Sequence, residues 1–149
     1  RYRAFGARMD EPYFLGLVAE AAMAVDEPDT ALNVLDEAEA IVAETTRTFF
    51  FEAELARLRA VAVARRGDVE AARAILQAAA DMANRFGAIP YSLRIELTRN
   101  RLGLARRSEE DAHHAELTRL ISHYDGRLSA SSTPWSFADL DEARRLTTG

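Results

Sequence analysis

An all-α fold is predicted by three features of the sequence. Alanine is abundant, 29 residues of 149, against 7 Gly and 4 Pro. Alanine is the strongest helix former, and a turn-rich β fold needs far more Gly and Pro. Apolar residues recur at three- and four-residue steps over most of the chain, the period of an amphipathic helix. Between these stretches stand Gly, Pro and Asp, which stop and start helices. With 48% hydrophobic residues the chain can build a core, which excludes disorder. It contains no Cys, which excludes disulfides, thiolate metal sites and cysteine nucleophiles and fits a cytoplasmic setting. Its longest unbroken apolar runs, such as 60–64, are about five residues, against roughly 20 for a membrane span.

Each helix is placed by its stripe and its ends. Pro12 stands where a first helical position belongs, after Asp10 as N-cap. Phe14, Leu15, Val18, Ala19, Ala22 and Val25 form the stripe of this helix. The turn at Asp26-Glu27-Pro28-Asp29 ends it and opens a second, striped by Ala31, Leu32, Leu35, Ala38 and Val42. Thr45 and Thr46 mark a break, and a third helix spans roughly 49–66. Gly67 ends it in the position after the C-cap that glycine fills best. Asp68 caps a fourth helix, with Ala72, Leu76, Ala79 and Ala83 inside, and Gly87 stops it. Pro90 opens a fifth, carrying Leu93, Leu97, Leu102 and Leu104. Ser108 and Asp111 have the spacing of a capping box for a sixth. Leu117, Leu120, Ile121 and Tyr124 stripe that helix, and Gly126 ends it. Residues 127–135 read as a loop before a terminal helix at about 136–147.

The helices pair, and the pairs repeat. Ala31, Ala72 and Ala112 align at steps of 41 and 40 residues, each five residues beyond a polar turn at Asp26, Gly67 or Arg107. Leu35 and Ala38 are matched by Leu76 and Ala79, and Ala19 by Ala60. The small residue lets two helices approach closely, and the larger one fills the space between neighbouring pairs. This is the logic of tetratricopeptide-type hairpins, with a period near 40. In this alignment the third repeat is degenerate, with Glu116 and Arg119 at the apolar and small positions. The sequence therefore predicts a tetratricopeptide-like right-handed superhelix of about three antiparallel hairpins plus a C-terminal helix. The repeats fall at roughly 11–46, 47–87 and 90–126, within one domain over 1–149 that reads as a piece of a longer chain.

Five stretches follow one another in a familiar order. They are Pro12-Tyr13-Phe14-Leu15 with Ala19-Glu20-Ala21; Glu54-Leu55-Ala56-Arg57-Leu58-Arg59; Gly67-Asp68-Val69-Glu70-Ala71-Ala72; Gly87-Ala88 followed by Leu93-Arg94; and Asp139-Leu140-Asp141-Glu142-Ala143-Arg144. In these the chain resembles the C-terminal helical-repeat region of large bacterial regulators of the predicted-ATPase, adenylate-cyclase-associated and LuxR-type transcription-factor group. It departs from that pattern at Asp26 to Pro28, where a glycine is usual, and in the longer 127–137 stretch. The resemblance implies a non-catalytic sensor, autoinhibitory or oligomerising arm attached to cyclase, ATPase or DNA-binding parts.

No phosphate loop or nucleophile elbow is present, and an enzyme is the reading least favoured. His113, His114 and His123 lack the H-E-x-x-H series, so a solvated polar face is expected and no metal or other cofactor. Glu109, Glu110 and Asp111 suit the positive end of a helix dipole. Phe49, Phe50 and Phe51 spread over about 200° of a helix surface; they read first as packing against adjacent helix pairs and the turn, and alternatively Phe50 is a docking aromatic, as Trp135 and Phe137 either pin the last helix or meet a next module. Glu54, Arg57, Arg94 and Arg101 lie on first helices of neighbouring repeats. They read either as partner-binding groove residues or as a ladder of inter-repeat ion pairs.

The net charge of −5 conceals segregation. Residues 10–55 hold 12 acids and one Arg, whereas residues 56–107 hold 11 Arg and four acids. This reads either as an ordinary mixed solvated surface or as complementary contact, in which the acidic first hairpin of one chain, or of a preceding module, meets a basic band elsewhere, as in a homo-oligomer. All 19 basic residues are Arg. No recognition helix accompanies the basic band, so direct nucleic-acid binding is not expected, and neither is a membrane. The function expected is a protein–protein or intramolecular interaction module. The alternative is an arm sensing a small molecule or peptide in its concave groove.

Overall fold

A computed structural model describes residues 2–44, 51–128 and 138–148, with side chains over 10–44, 51–126 and 138–148. The described residues form seven α-helices and no strand: α1 (Tyr2–Ala24), α2 (Pro28–Glu44), α3 (Glu52–Arg65), α4 (Val69–Arg85), α5 (Ile89–Arg101), α6 (Glu110–Leu128) and α7 (Ala138–Thr147). None is long and apolar enough to cross a membrane.

The helix ends follow from local chemistry. α1, α3, α4 and α5 close in the same way, with one residue in the left-handed region: Asp26 (φ 62°), Gly67 (91°), Gly87 (61°) and Gly103 (61°). In each, the next amide bonds a carbonyl five residues back: Glu27 to Ala22 (2.9 Å), Asp68 to Val63 (3.2 Å), Ala88 to Ala83 (2.8 Å) and Leu104 to Arg99 (2.9 Å). That is the Schellman closure. Glycine adopts this conformation without steric cost at Gly67. Asp26 adopts it without a glycine's freedom, and its carboxylate is held by Arg65 Nη1 at 2.7 Å. The Asp68 side chain accepts from Ala71 N at 3.0 Å and starts α4 as an N-cap.

Three expected boundaries are corrected. α1 begins at Tyr2, so Pro12 lies inside it rather than at its start. Lacking an N–H, Pro12 leaves one carbonyl of the preceding turn without its helical donor. α6 runs through Gly126 to Leu128. Its start is not boxed by Ser108 and Asp111: a 3-10 turn, Arg107–Glu109, precedes it, and the Glu109 carboxylate accepts from Arg106 N at 3.3 Å.

Packing is serial. α1 and α2 pack together and onto α3; α3 and α4 pack together and onto α5; α5 and α6 both meet α7. Three-residue turns join α1 to α2, α3 to α4 and α4 to α5, which makes these neighbours antiparallel hairpin partners. The odd helices also touch one another in succession, whereas α2 makes no contact with α4, nor α4 with α6. The core is correspondingly three clusters in a row. Ala19, Ala22, Leu35 and Leu55 belong to the first; Ala60, Leu76, Ala79 and Ile95 to the second; Leu93, Leu97, Leu120 and Leu140 to the third.

Burial fixes the repeat register and corrects its third member. Ala31 and Ala72 are fully buried as expected, but Ala112 is exposed. The buried positions of α6 are Leu117, Leu120 and Ile121. A constant step of 41 links Leu35, Leu76 and Leu117, and likewise Ala38, Ala79 and Leu120. The third hairpin is thus not degenerate; it was displaced by one residue. The cause is its turn. α5 closes at Gly103, four residues before Arg107, and Leu104 folds back into the second core cluster.

The α1 stripe divides as well. Ala19 and Ala22 are buried, but Phe14, Val18 and Val25 are 59%, 50% and 69% exposed. α1 is apolar on both faces, so spacing alone did not say which one faces the core.

Candidate functional site

The odd helices present one face on which a line of charges runs from α1 to α7. Its centre is Arg57 on α3, whose side chain is only 6% exposed. Arg57 Nε and Nη2 donate to the two Glu54 carboxylate oxygens at 2.9 and 2.8 Å, a bidentate pair. Its Nη1 donates to Thr98 Oγ1 at 3.1 Å, a bond from α3 to α5. The Thr98 hydroxyl donates in turn to the Arg94 carbonyl at 2.7 Å. Glu20 of α1 lies 3.6 Å from Arg57 Nη2.

Arg94 extends the line in both directions. Its Nη1 meets Glu54 at 2.5 Å, its Nη2 meets Glu20 at 3.1 Å, and its Nε lies 3.7 Å from Asp139 of α7. Arg101 ends the line, bound to Asp139 at 3.1 Å and to both oxygens of Glu142 at 3.0 and 2.5 Å. The Arg101 bonds hold the Glu142 carboxyl below the usual glutamate range. All four sequence-predicted residues, Glu54, Arg57, Arg94 and Arg101, therefore lie on one continuous network. Of the two expected roles, the ion-pair ladder is the arrangement observed. Arg57 is not an open reading group. Arg94 and Arg101 keep about a third to a half of their side-chain surface in solvent. Phe50, Trp135 and Phe137 lie outside the described residues.

Beside Glu54 and Arg94 opens a pocket of about 180 Å³. Tyr13 and Leu17 of α1, Phe51, and Tyr91 of α5 wall it, with Glu20, Glu54 and Arg94 at its polar rim. Burial, with Glu54 nearby, pushes the Tyr91 hydroxyl above its ordinary pKa, so it stays a neutral phenol. The floor is shaped by Gly16: a Cβ there would stand 3.1 Å from Leu55 Cδ2, so a glycine lets α1 settle against α3.

The acidic first hairpin finds its basic counterpart within the chain. Arg59 binds Asp36 (2.6 Å) and Glu39 (2.8 Å), Arg65 binds Asp26 (2.7 Å), and Arg66 lies 3.3 Å from Asp29. The same contact recurs one unit later, where Arg106 meets Glu70 at 3.3 Å and Arg99 donates to Gln77 at 3.2 Å. Asp29 and Glu70 are 41 residues apart, as are Asp36 and Gln77.

A second polar cluster went unseen in the sequence. His113 was expected on a solvated face, but it is mostly buried, with Nδ1 2.7 Å from Glu96 Oε2. Arg99 Nε lies 3.3 Å from the same oxygen. The His113 Nε2 is buried without a hydrogen-bond partner. His114 is exposed, and His123 packs edge-on against Tyr124. The signal that would have found His113 is the 41-residue step, which places it in line with Ala31 and Ala72. Among the described residues no three His, Asp or Glu side chains converge as metal ligands would.

No family model matches the chain, and neither a curated protein nor a solved structure matches it.

Proposed function

We propose that the chain is a non-catalytic interaction module: a tetratricopeptide-like superhelix of three hairpins and a terminal helix that presents its odd-helix face to a protein or peptide. The observation that carries this reading is the asymmetry of the two layers. Odd helices pack on one another while even helices stay apart, as on the inner and outer sides of a curved repeat array. The inner side of such an array is its binding surface. Here that side bears the pocket between α1, α3 and α5, with aromatic walls and a charged rim. Its resemblance to the arm of bacterial regulators supports a role in signalling or transcriptional control, with the partner either an attached domain or another chain.

The size of the pocket favours a peptide over a free effector. About 180 Å³ is below the about 300–1,000 Å³ of ordinary small-molecule sites, but it accepts one side chain of an extended segment. A peptide library selected on the chain tests this, with counter-selection on Tyr91→Ala and Arg94→Glu variants. Binders that lose at least tenfold in affinity on both variants are expected. Binders indifferent to both would place recognition elsewhere, and a selection without binders would remove the groove from consideration.

A further inference from the structure

The outer face of α1 repeats, in apolar form, a surface that the chain buries twice. Phe14, Val18, Ala21 and Val25 recur at four-, three- and four-residue steps and make one exposed stripe, opposite the side that meets α3. Adding 41 to each number gives Leu55, Arg59 and Ala62 of α3 and its C-cap Arg66. Those residues face α1–α2: Leu55 and Ala62 lie in the first core cluster, and Arg59 and Arg66 pair with Asp36, Glu39 and Asp29 of α2. A further step of 40 gives Ile95 and Arg99 of α5, Leu102 at its C-cap, and Arg106 beyond the Gly103 turn. They face α3–α4, with Arg99 and Arg106 bonded to Gln77 and Glu70. On α1 the two arginine positions are Val18 and, one residue past the helix, Val25.

We propose that this face seats one further helical hairpin of the same repeat type, stacked on α1 as α1–α2 stack on α3. The proposal rests on the repeat-array reading above and adds a rule of recognition. Where α2 offers Asp29 and Asp36 to arginines, the incoming hairpin meets Val25 and Val18 and carries uncharged residues. A carboxylate there would be desolvated without a cation. Residues 10–44 contain ten acids and no basic residue. A second copy of this chain is a poor occupant, because two-fold pairing through α1 brings two such acidic hairpins together.

The test compares Val18→Asp in two settings. In the 149-residue chain Val18 is half exposed, and the change leaves the melting temperature within about 1 °C. In the second setting, residues 1–10 are replaced by an added copy of residues 11–51 bearing Asp29→Leu and Asp36→Leu, which preserves the 41-residue step into Glu11. There Val18→Asp lowers the melting temperature by roughly 5 °C, and restoring the two acids to the added copy lowers it in the same direction. Equal effects of Val18→Asp in both settings overturn the proposal. So does a natural chain that sediments as a dimer split by Val18→Asp, which would make a second copy the occupant. Peptide selection on Tyr91 and Arg94 probes a different face, so failure here leaves the groove reading standing, and failure there leaves this one.

Discussion

The first two hairpins and the third solve the same packing problem with different chemistry. In α2 and α4 the equivalent positions are Ala31 and Ala72, both fully buried among apolar neighbours. In α6 the position in line with them is His113, bonded to Glu96 of α5. On α3 the residue 40 before Glu96 is Ala56, so an alanine seam has become a hydrogen-bonded one. Hairpins of the first kind are joined by tight turns; the third has a longer link, Leu102 to Glu109, and a 3-10 turn. Repeat geometry is therefore preserved by spacing rather than by residue type. An alanine seam gains from close approach, and a polar seam gains from direction, at the cost of desolvating charge.

Seven substitutions break or sharpen that comparison. The largest effects come from its shared positions. Leu76→Ala and Leu117→Ala, each in a core cluster, should each lower unfolding free energy by about 2–5 kcal/mol in denaturant melts. Glu116→Ala should change it by less than about 1 kcal/mol, since its partner Arg119 is half exposed. A costly Glu116→Ala and a harmless Leu117→Ala would restore the alignment on Ala112.

Arg57→Ala comes next, at about 3 kcal/mol, because it strips a nearly buried Glu54 of its bidentate partner and removes the bond to Thr98. Thermal melts in low and high salt should show this loss largely unchanged, as expected of a screened-off pair. His113→Ala should cost about 1–2 kcal/mol, and Glu96→Ala at least as much. The double variant recreates the alanine seam, so the two losses should be strongly sub-additive in a double-mutant cycle. Additive losses would show that the two side chains do not act as a unit.

The smallest effect is the pH dependence of the terminal link. Because the Glu142 pKa is lowered by Arg101, the stability it adds is present above the unfolded value near 4.5 and is lost as pH falls through the lower folded value. Arg101 is half exposed, so the contribution is at most about 1 kcal/mol. Glu142→Gln should lower neutral stability by up to that amount and leave stability in acid unchanged, flattening the acid limb of the stability–pH curve.

Much of the architecture was legible because it is written in local chemistry. Pro28, Gly67, Asp68, Gly87 and Pro90 each mark a boundary through a constraint on their own backbone or cap. Leu35, Ala38, Leu76 and Ala79 announce the period through volume. The third hairpin was misaligned because an alanine was followed where a histidine had taken the buried place. α1 was misread for the opposite reason: with apolar residues on nearly every side, periodicity does not choose a face. The ladder was half legible. Placing Glu54, Arg57, Arg94 and Arg101 on first helices brought them to one surface. That Arg57 would be sealed by Thr98, 41 residues on, depends on how closely two helices approach, which spacing does not encode.

The separation of α2 from α4, and of α4 from α6, has a mechanical consequence. Odd helices are tied edge to edge by Glu20, Arg57, Glu54, Arg94, Asp139 and Arg101, whereas the opposite edge has gaps. Such a body is held more firmly along the tied edge than along the opposite one. Its exposed ties loosen in salt while the sealed Arg57–Glu54 tie holds. Ionic strength would then tune how tightly the odd helices are held to one another without unfolding them.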